Sequence, residues 1–457
     1  MDKKILIISY HFPPSQAVGG LRAANFARYL PASGWQPCVL TIKDKYIDNL
    51  DAERLQGLES LTIYKTNKLP QVMEFYRLAK SSLKKMLKSR QKGTDGSTGS
   101  KNRSDESEIS EDTLQRVKRY YASLFLALPD YEKNWILPAS TKAIREIRRN
   151  KIDYILTSCP PYSVHLVGLL AHLATGANWI ADFRDPWYVA SKKRMYPTCT
   201  LSRKIEGALE KQVMKRARLV LCNTERLCDT LASAYSKVKK NGFVYIPNGI
   251  STDIFSGLRD LPKYEKFTLT YTGSLYFFRT PEPVFKALKE LIDKGQVDRD
   301  SFTIKLVGHC DTIDGSPTID LVSAYGLAEN VEILPPVPYL KSLEIVKRSH
   351  LALLFAPDQP FQIPAKVYDY IGTGTRILAL AGEGATSDMV LKTGTGSVFQ
   401  PDNHEDLKAF LLDSINNQTP MSETVTMEAI QKFDREKVVS DLADYLNAQF
   451  EQGERAN

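Results

Sequence analysis

The sequence predicts an α/β protein of two facing, doubly wound domains, and three observations carry that prediction. Short apolar runs of strand length alternate with stretches of helical period along most of the chain. The alternation pauses after Pro247-Asn248-Gly249 and restarts at Phe267. The 457 residues, 43% apolar and 25% charged, are ordinary globular composition and enough for two or three separate cores. A small disulfide-stapled scaffold and a wholly disordered chain are thereby excluded.

Ile5 to Ile8 is a continuous apolar run, as a strand buried on both faces requires. Gly20 to Leu30 sets Leu21, Ala24 and Ala27 at helical spacing with Phe26 and Leu30 beside them, and Val39, Leu40 and Ile42 form a second strand. This βαβ opening implies a parallel sheet. The pattern recurs in strands at Tyr154 to Leu156, Trp179 to Ala181, Leu219 to Leu221 and Val244 to Ile246, with helices from about Ser163 to Ala174, Ser202 to Arg216 and Glu225 to Ala234. Residues 1–255 therefore read as one domain. In the second domain, 256–422, strands are expected at Phe267 to Tyr271, Thr303 to Val307, Val331 to Leu334, Leu351 to Phe355, Arg376 to Leu380 and Ser397 to Phe399. Helices are expected at about Pro283 to Ile292, Leu340 to Lys347, Ala365 to Thr373 and Glu405 to Ile415. One long helix, from about Val425 to Phe450 within 423–457, is expected to pack back on the first domain.

The formal charge is +8, and its location matters more than its size. Residues 65 to 103 hold eleven basic residues against two acids, a local +9 that leaves the rest of the chain at −1. Residues 65–112 therefore read as a basic insertion, partly disordered where Gly, Ser, Thr, Lys, Asp and Glu dominate. It has a bland reading as a solvated segment. A nucleic-acid patch would interleave aromatics with the cations, and this one does not do so convincingly. The preferred reading is a basic helix with Phe75, Leu83, Met86 and Leu87 lying on an anionic membrane surface, each cation contributing about 1 kcal/mol. No run approaches the length of a spanning helix. The N-terminal apolar run is too short for a signal peptide. The six cysteines lack C-x-x-C spacing, so a reduced, cytoplasmic protein is expected, peripheral on the inner face of the plasma membrane if the basic segment docks there.

The loop after the first strand ends in Gly19-Gly20 at a helix start, where free N–H groups and the helix dipole suit an anion; a simple tight turn explains the pair equally well. Beyond these residues a resemblance appears. ILIISYHFPP, then GG, then LRAANFARYLPASGWQPCVLT resembles the start of a GT-B glycosyltransferase of family 4. TSCPPYSVHLVGLLA and WIADFRDPW are similar to segments of its bacterial surface-polysaccharide branch. IPNGISTDIF resembles the interdomain signature, YTGSLYFFRTPEPVFKAL the element that opens the donor domain, and IPAKVYDYIGTGTRILAL the donor-binding helix.

The resemblance implies a GT-B fold with a cleft between the two domains and a nucleotide sugar as substrate, with no cofactor and no metal. It implies that Asp369 holds the donor ribose, since a carboxylate accepts bonds from both hydroxyls of a diol. The family's companion acid falls at Phe361, which cannot do that work; Asp358 is the nearest substitute. A departing nucleoside diphosphate needs positive charge, and Arg279, Lys366 and the backbone N–H groups at Gly19, Gly20, Gly273 and Ser274 are the candidates. Lys366 near a helix start opposes the dipole, which a bound anion would relieve. His165 corresponds to a histidine beside the donor sugar, although a histidine on an apolar helix also reads as a core residue. His11 is a weaker candidate. Arg184 and Asp185 either contact the acceptor or pair with each other. Asp298-Arg299-Asp300 is a D-x-D on paper and a solvated loop by context. The expected activity is transfer of a sugar, with retention, from a nucleotide sugar to a lipid-linked or oligosaccharide acceptor in cell-surface polysaccharide synthesis. A GT-B nucleotide-sugar epimerase and a non-catalytic binding partner are the alternatives.

Overall fold

The computed structural model describes residues 3–70, 120, 124, 127–191, 198–258, 260–276, 278–417 and 423–454. The chain forms two compact units, 1–220 with 234–242 and 221–233 with 243–457.

The strands of the first sheet are β1 (Lys3–Ile8), β2 (Trp35–Ile42), β3 (Thr62–Thr66), β4 (Tyr154–Cys159), β5 (Asn178–Phe183), β6 (Leu219–Cys222) and β7 (Phe243–Tyr245). The sheet order is β3-β2-β1-β4-β5-β6-β7, its last strand lying where the chain passes from one unit to the other. The pairs β1–β2, β2–β3, β1–β4 and β4–β5 are all parallel. Ile5, Leu6, Ile7 and Ile8 are fully buried, as the unbroken apolar run requires of a central strand with helices on both faces. Several elements were not anticipated, these three among them. Strand β3 is only half-buried at the sheet edge and alternates too weakly to stand out. The helix Ile136–Asn150 buries Ala139, Ala143 and Ile147 beneath an arginine-rich exposed face. The helix Ala385–Thr393 in the second unit buries mostly small residues.

The basic insertion needs one correction. Lys65 lies in β3 and pairs with Asp44 at 2.7 Å, and Lys68 pairs with Glu132 at 3.3 Å, so both belong to the folded unit. The rest of that insertion, 71–112, falls outside the described residues.

In the second unit β8 (Phe267–Ser274), β9 (Phe302–His309), the small hairpin β10 (Thr312–Ile313) and β11 (Ser316–Pro317), β12 (Val331–Leu334), β13 (Leu351–Ala356), β14 (Arg376–Ala381) and β15 (Gly396–Phe399) follow in order. Its sheet runs β12-β9-β8-β13-β14-β15, parallel throughout. Successive residues of β13 feed opposite cores: Leu351, Leu353 and Phe355 join one apolar cluster, Ala352 and Leu354 the other. The expected long terminal helix is two helices, Glu423–Phe433 and Arg435–Glu454. The break has a backbone cause. Ile250 N–H donates to the Phe433 carbonyl at 2.6 Å and Arg435 N–H donates to the Ile250 carbonyl at 3.0 Å, a strand-like exchange that takes groups from the helical ladder. Ala429 and Phe433 complete the second core, Phe433 meeting Tyr368 edge-on at 5.6 Å.

Candidate functional site

The candidate residues gather at the carboxyl ends of parallel strands, where open α/β sheets bind ligands. In the first unit, Arg184 follows β5 and spends its guanidinium on backbone carbonyls: Cys159 at 2.8 Å, Pro160 at 2.8 Å and Gly19 at 2.5 Å. It ties the loop after β1 to the loop after β4. The two glycines answer to packing as well. A Cβ on Gly19 would lie 3.0 Å from the Arg184 guanidinium and one on Gly20 3.0 Å from the His11 carbonyl. Gly20 N–H donates to Ala17 at 3.0 Å. Half-buried His11 is held below its usual pKa by burial first and then by the Arg184 charge. Asp185 is half-buried beside Arg184.

His165 lies in the core. It is fully buried, its Nδ1 is 2.8 Å from the Thr157 hydroxyl, and its ring lies 4.4 Å from that of Phe183. Burial pushes its pKa down to about 3, so the ring is neutral at physiological pH. Its helix begins under a carboxylate from far away in sequence: buried Asp130 accepts from Ser163 N–H at 2.7 Å and from the Ser163 hydroxyl at 2.6 Å. Beside them Asp182 takes a two-pronged bond from Arg22 at 2.9 to 3.0 Å and one from Ser158 at 2.7 Å.

The second unit brings the remaining candidates together. At the end of β8, Gly273 pairs with Gly308 of β9, and both have positive φ, 126° and 121°. A Cβ on Gly273 would stand 2.6 Å from Lys366 Nζ, so the lysine packs directly on the glycine. Lys366 occupies the first turn of the helix Ala365–Thr373, donates to the Thr272 carbonyl and sits 3.9 Å above the Tyr271 ring centre. Tyr271 is itself fixed by donating to the Ser274 carbonyl at 2.8 Å. Arg279 closes a tight turn with Tyr276, its guanidinium 4.5 Å over that ring. Burial, and next the Arg279 charge, bring Lys366 down to about 7 from its usual 10.5. Asp369, one turn further along the same helix, accepts from the Tyr339 hydroxyl at 2.6 Å; burial raises its pKa, while Tyr339, Arg435 and Lys366 oppose the rise.

Two cations and a carboxylate thus converge on a glycine-lined strand end at a helix N-terminus. The arrangement suits an anion that also offers hydroxyl donors. Tyr271, Tyr339 and Arg435 escaped sequence reasoning because each acts only through space, Tyr339 from 30 residues away. The D-x-D is a turn: Asp298 Oδ1 accepts from Asp300 N–H at 3.1 Å. Among the described residues, one group of side chains has metal-ligating spacing, Glu290, His404 and Glu405, and Lys408 bridges its two acids at 3.1 and 2.8 Å.

Residues 100–254 match the model of Glycosyltransferase Family 4. No curated protein sequence matches the chain. Among solved structures, HepE of Anabaena in complex with UDP is similar, with a TM-score of 0.60 at 14% identity, covering 98% of this chain and 100% of that one. A glycosyltransferase from Rickettsia africae gives 0.61 at 14% identity over 97% of each chain. Sucrose-phosphate synthase of Thermosynechococcus elongatus gives 0.61 at 14% identity over 98% of this chain and 100% of that one.

Proposed function

We propose that this chain is a glycosyltransferase of family 4 type, as the family match over residues 100–254 and the likeness in fold support, and that it moves a sugar from a nucleotide-sugar donor bound mainly on the second unit. The observation that carries the proposal is Lys366, buried in the first turn of a helix over the Tyr271 ring, which burial first and then the Arg279 charge bring down to about 7. A diphosphate supplies negative charge beside it, and during transfer it supplies more as the leaving group develops. Asp369, held at Oδ1 by Tyr339, takes the ribose hydroxyls. Backbone at Gly273 and Ser274 allows the close approach.

The finer reading extends this. The acceptor is a lipid-linked or oligosaccharide chain in bacterial cell-surface polysaccharide synthesis, presented by the first unit near Arg184 and Asp185. Transfer retains configuration and uses protein cations in place of a metal. The basic residues beyond Lys68 hold the enzyme on an anionic bilayer, as a peripheral protein. HepE, similar in fold, has been seen with UDP-glucose, which supports a nucleotide-sugar donor here.

The test is calorimetric or thermal-shift titration with UDP-, GDP- and dTDP-sugars, with Asp369→Ala as the comparison. One donor family should bind and the substitution should sharply weaken it. Unchanged affinity would sink the assignment of Asp369. Donor turnover with no sugar transferred to any acceptor would point to an epimerase, and no binding at all to a non-catalytic partner.

A further inference from the structure

Three helices of the first unit share one face of its sheet: Ile136–Asn150, Ser163–Thr175 and Thr200–Arg216. The first two lead into and out of β4 and the third leads into β6, and right-handed crossovers running in one direction put all three on the same side. Contacts set Ser163–Thr175 between the other two. That middle helix carries no Asp, Glu, Lys or Arg, yet among the described residues its outer leucines reach solvent: Leu170 is 39% and Leu173 54% exposed. Leu137, at the start of the neighbouring helix, is 63% exposed.

The charges on the two outer helices are sorted by sign. Arg145, Arg148 and Arg149 are exposed on one, and Lys204, Lys211, Lys215 and Arg216 on the other. Their acids are buried. Glu146 accepts from Lys142 at 2.7 Å and from Asn150 at 3.0 Å, and Glu210 accepts from the Tyr188 N–H and the Tyr235 hydroxyl, each at 2.6 Å. Glu206 is buried as well, and among the described residues of 136–218 Asp153 is the only exposed acid. Arg148 joins the two kinds of surface, donating to the Ala174 carbonyl at 2.9 Å beside Leu173. A solvated face ordinarily mixes both signs. This one is an apolar strip between two cationic borders.

We infer that this face docks on an anionic bilayer, its leucines entering the acyl boundary and its borders meeting lipid phosphates. Other occupants answer only part of it. A second copy of the chain would set cation against cation. Nucleic acid has phosphates for the borders but nothing for the leucines, and none of the three helices carries an aromatic ring to stack on a base. The inference is independent of the donor reading and of any binding by residues 71–103.

The test uses the full chain and vesicles of phosphatidylcholine with or without about 40% phosphatidylglycerol. Arg145→Gln with Arg149→Gln removes two border cations, and Leu170→Ser with Leu173→Ser removes the strip. Residues 71–103 are intact in both, so affinity lost is lost from the face. The arginine pair should weaken binding to anionic vesicles roughly 30-fold and the leucine pair at least about tenfold, with melting temperatures within about 2 °C of the parent. Leu173→Trp reads the face directly, because the chain's four tryptophans are all buried. Its emission should shift to the blue on anionic vesicles and stay in place with phosphatidylcholine alone. Unchanged affinity in folded variants, or vesicle-bound Leu173→Trp protein whose emission does not move, would overturn the inference. An affinity for duplex RNA equal to that for the vesicles and indifferent to the leucine pair would give the face to nucleic acid instead. Emission already blue without vesicles, moving to the red when 105–112 are deleted, would assign the face to the chain's own acidic run and overturn the inference too.

Discussion

Donor binding should depend on pH through one side chain. With Lys366 near 7, about three-quarters of the vacant sites carry the ammonium at pH 6.5 and about 3% at pH 8.5. A nucleotide sugar is a diphosphate diester whose charge is constant over this range, so the lysine supplies the titration. If only the charged lysine binds, Kd rises about 25-fold between those pH values, or ~1.9 kcal/mol. Binding at pH 7 then takes up on the order of half a proton, because the diphosphate restores the lysine's charge. The sign for stability follows from the same numbers. Below its ordinary 10.5 the lysine of the unfolded chain binds a proton that the folded, vacant site refuses until about 7, so the empty protein loses stability as pH falls across that window. The nearby Cys310 thiol is pushed up to about 12 by burial and stays protonated throughout. The assay is isothermal titration calorimetry at pH 6.5, 7.5 and 8.5 in buffers of different ionisation enthalpy, with Lys366→Arg as the control that should flatten the profile. A Kd constant over the range, with no proton uptake, would refute the reasoning.

The other predictions follow from single contacts. Gly273→Ala should reduce donor affinity at least tenfold with little change in fold, since a Cβ there meets Lys366 Nζ and the φ of 126° disfavours any side chain; affinity equal to the parent's by calorimetry would count against the close packing. Tyr339→Phe frees Asp369 Oδ1 from the bond that favours its charged form, and the donor Kd should rise roughly three- to tenfold, with kcat at saturating donor unchanged. Asp130→Ala strands the Ser163 N–H and hydroxyl inside the first unit and should cost about 3 kcal/mol in urea unfolding, with Asp130→Asn recovering part of it. Deleting residues 71–103, which carry nine basic residues, should lower binding to anionic liposomes in co-sedimentation and leave nucleotide affinity alone; equal sedimentation would return the segment to a solvated tether.

The sheets were legible because their strands are buried on both faces: Ile5 to Ile8 and Leu351 to Phe355 can be little else. What sequence could not show were elements whose identity is conferred by neighbours. Strand β3 is a strand because β2 is beside it. The pause at Asp434 exists because Ile250 reaches in from 184 residues away. The same holds in the site. Lys366, Asp369, Arg279 and Gly273 could be singled out only through the family resemblance of their segments, and the second unit brings them near one another. The ring under Lys366 and the hydroxyl on Asp369 have no local signature. Arg184 shows the opposite difficulty: its sequence setting suggested a ligand or an acid for it, and its guanidinium is instead matched to carbonyls, a use for arginine that leaves no trace in the pattern.

The order of strands in the first unit also bears on how the chain is made. β1 lies between β2 and β4, yet β4 is synthesised more than a hundred residues after β2, on the far side of the basic segment. On a ribosome adding 5 to 20 residues per second, β1 waits about 6 to 24 s with one edge unpaired. During that interval the nascent chain carries a bare Ile-Leu-Ile-Ile edge, the kind of template that recruits other strands. The polar, cationic stretch emerging next is what accompanies it through the wait, and a chain shortened there would meet its partner strand sooner.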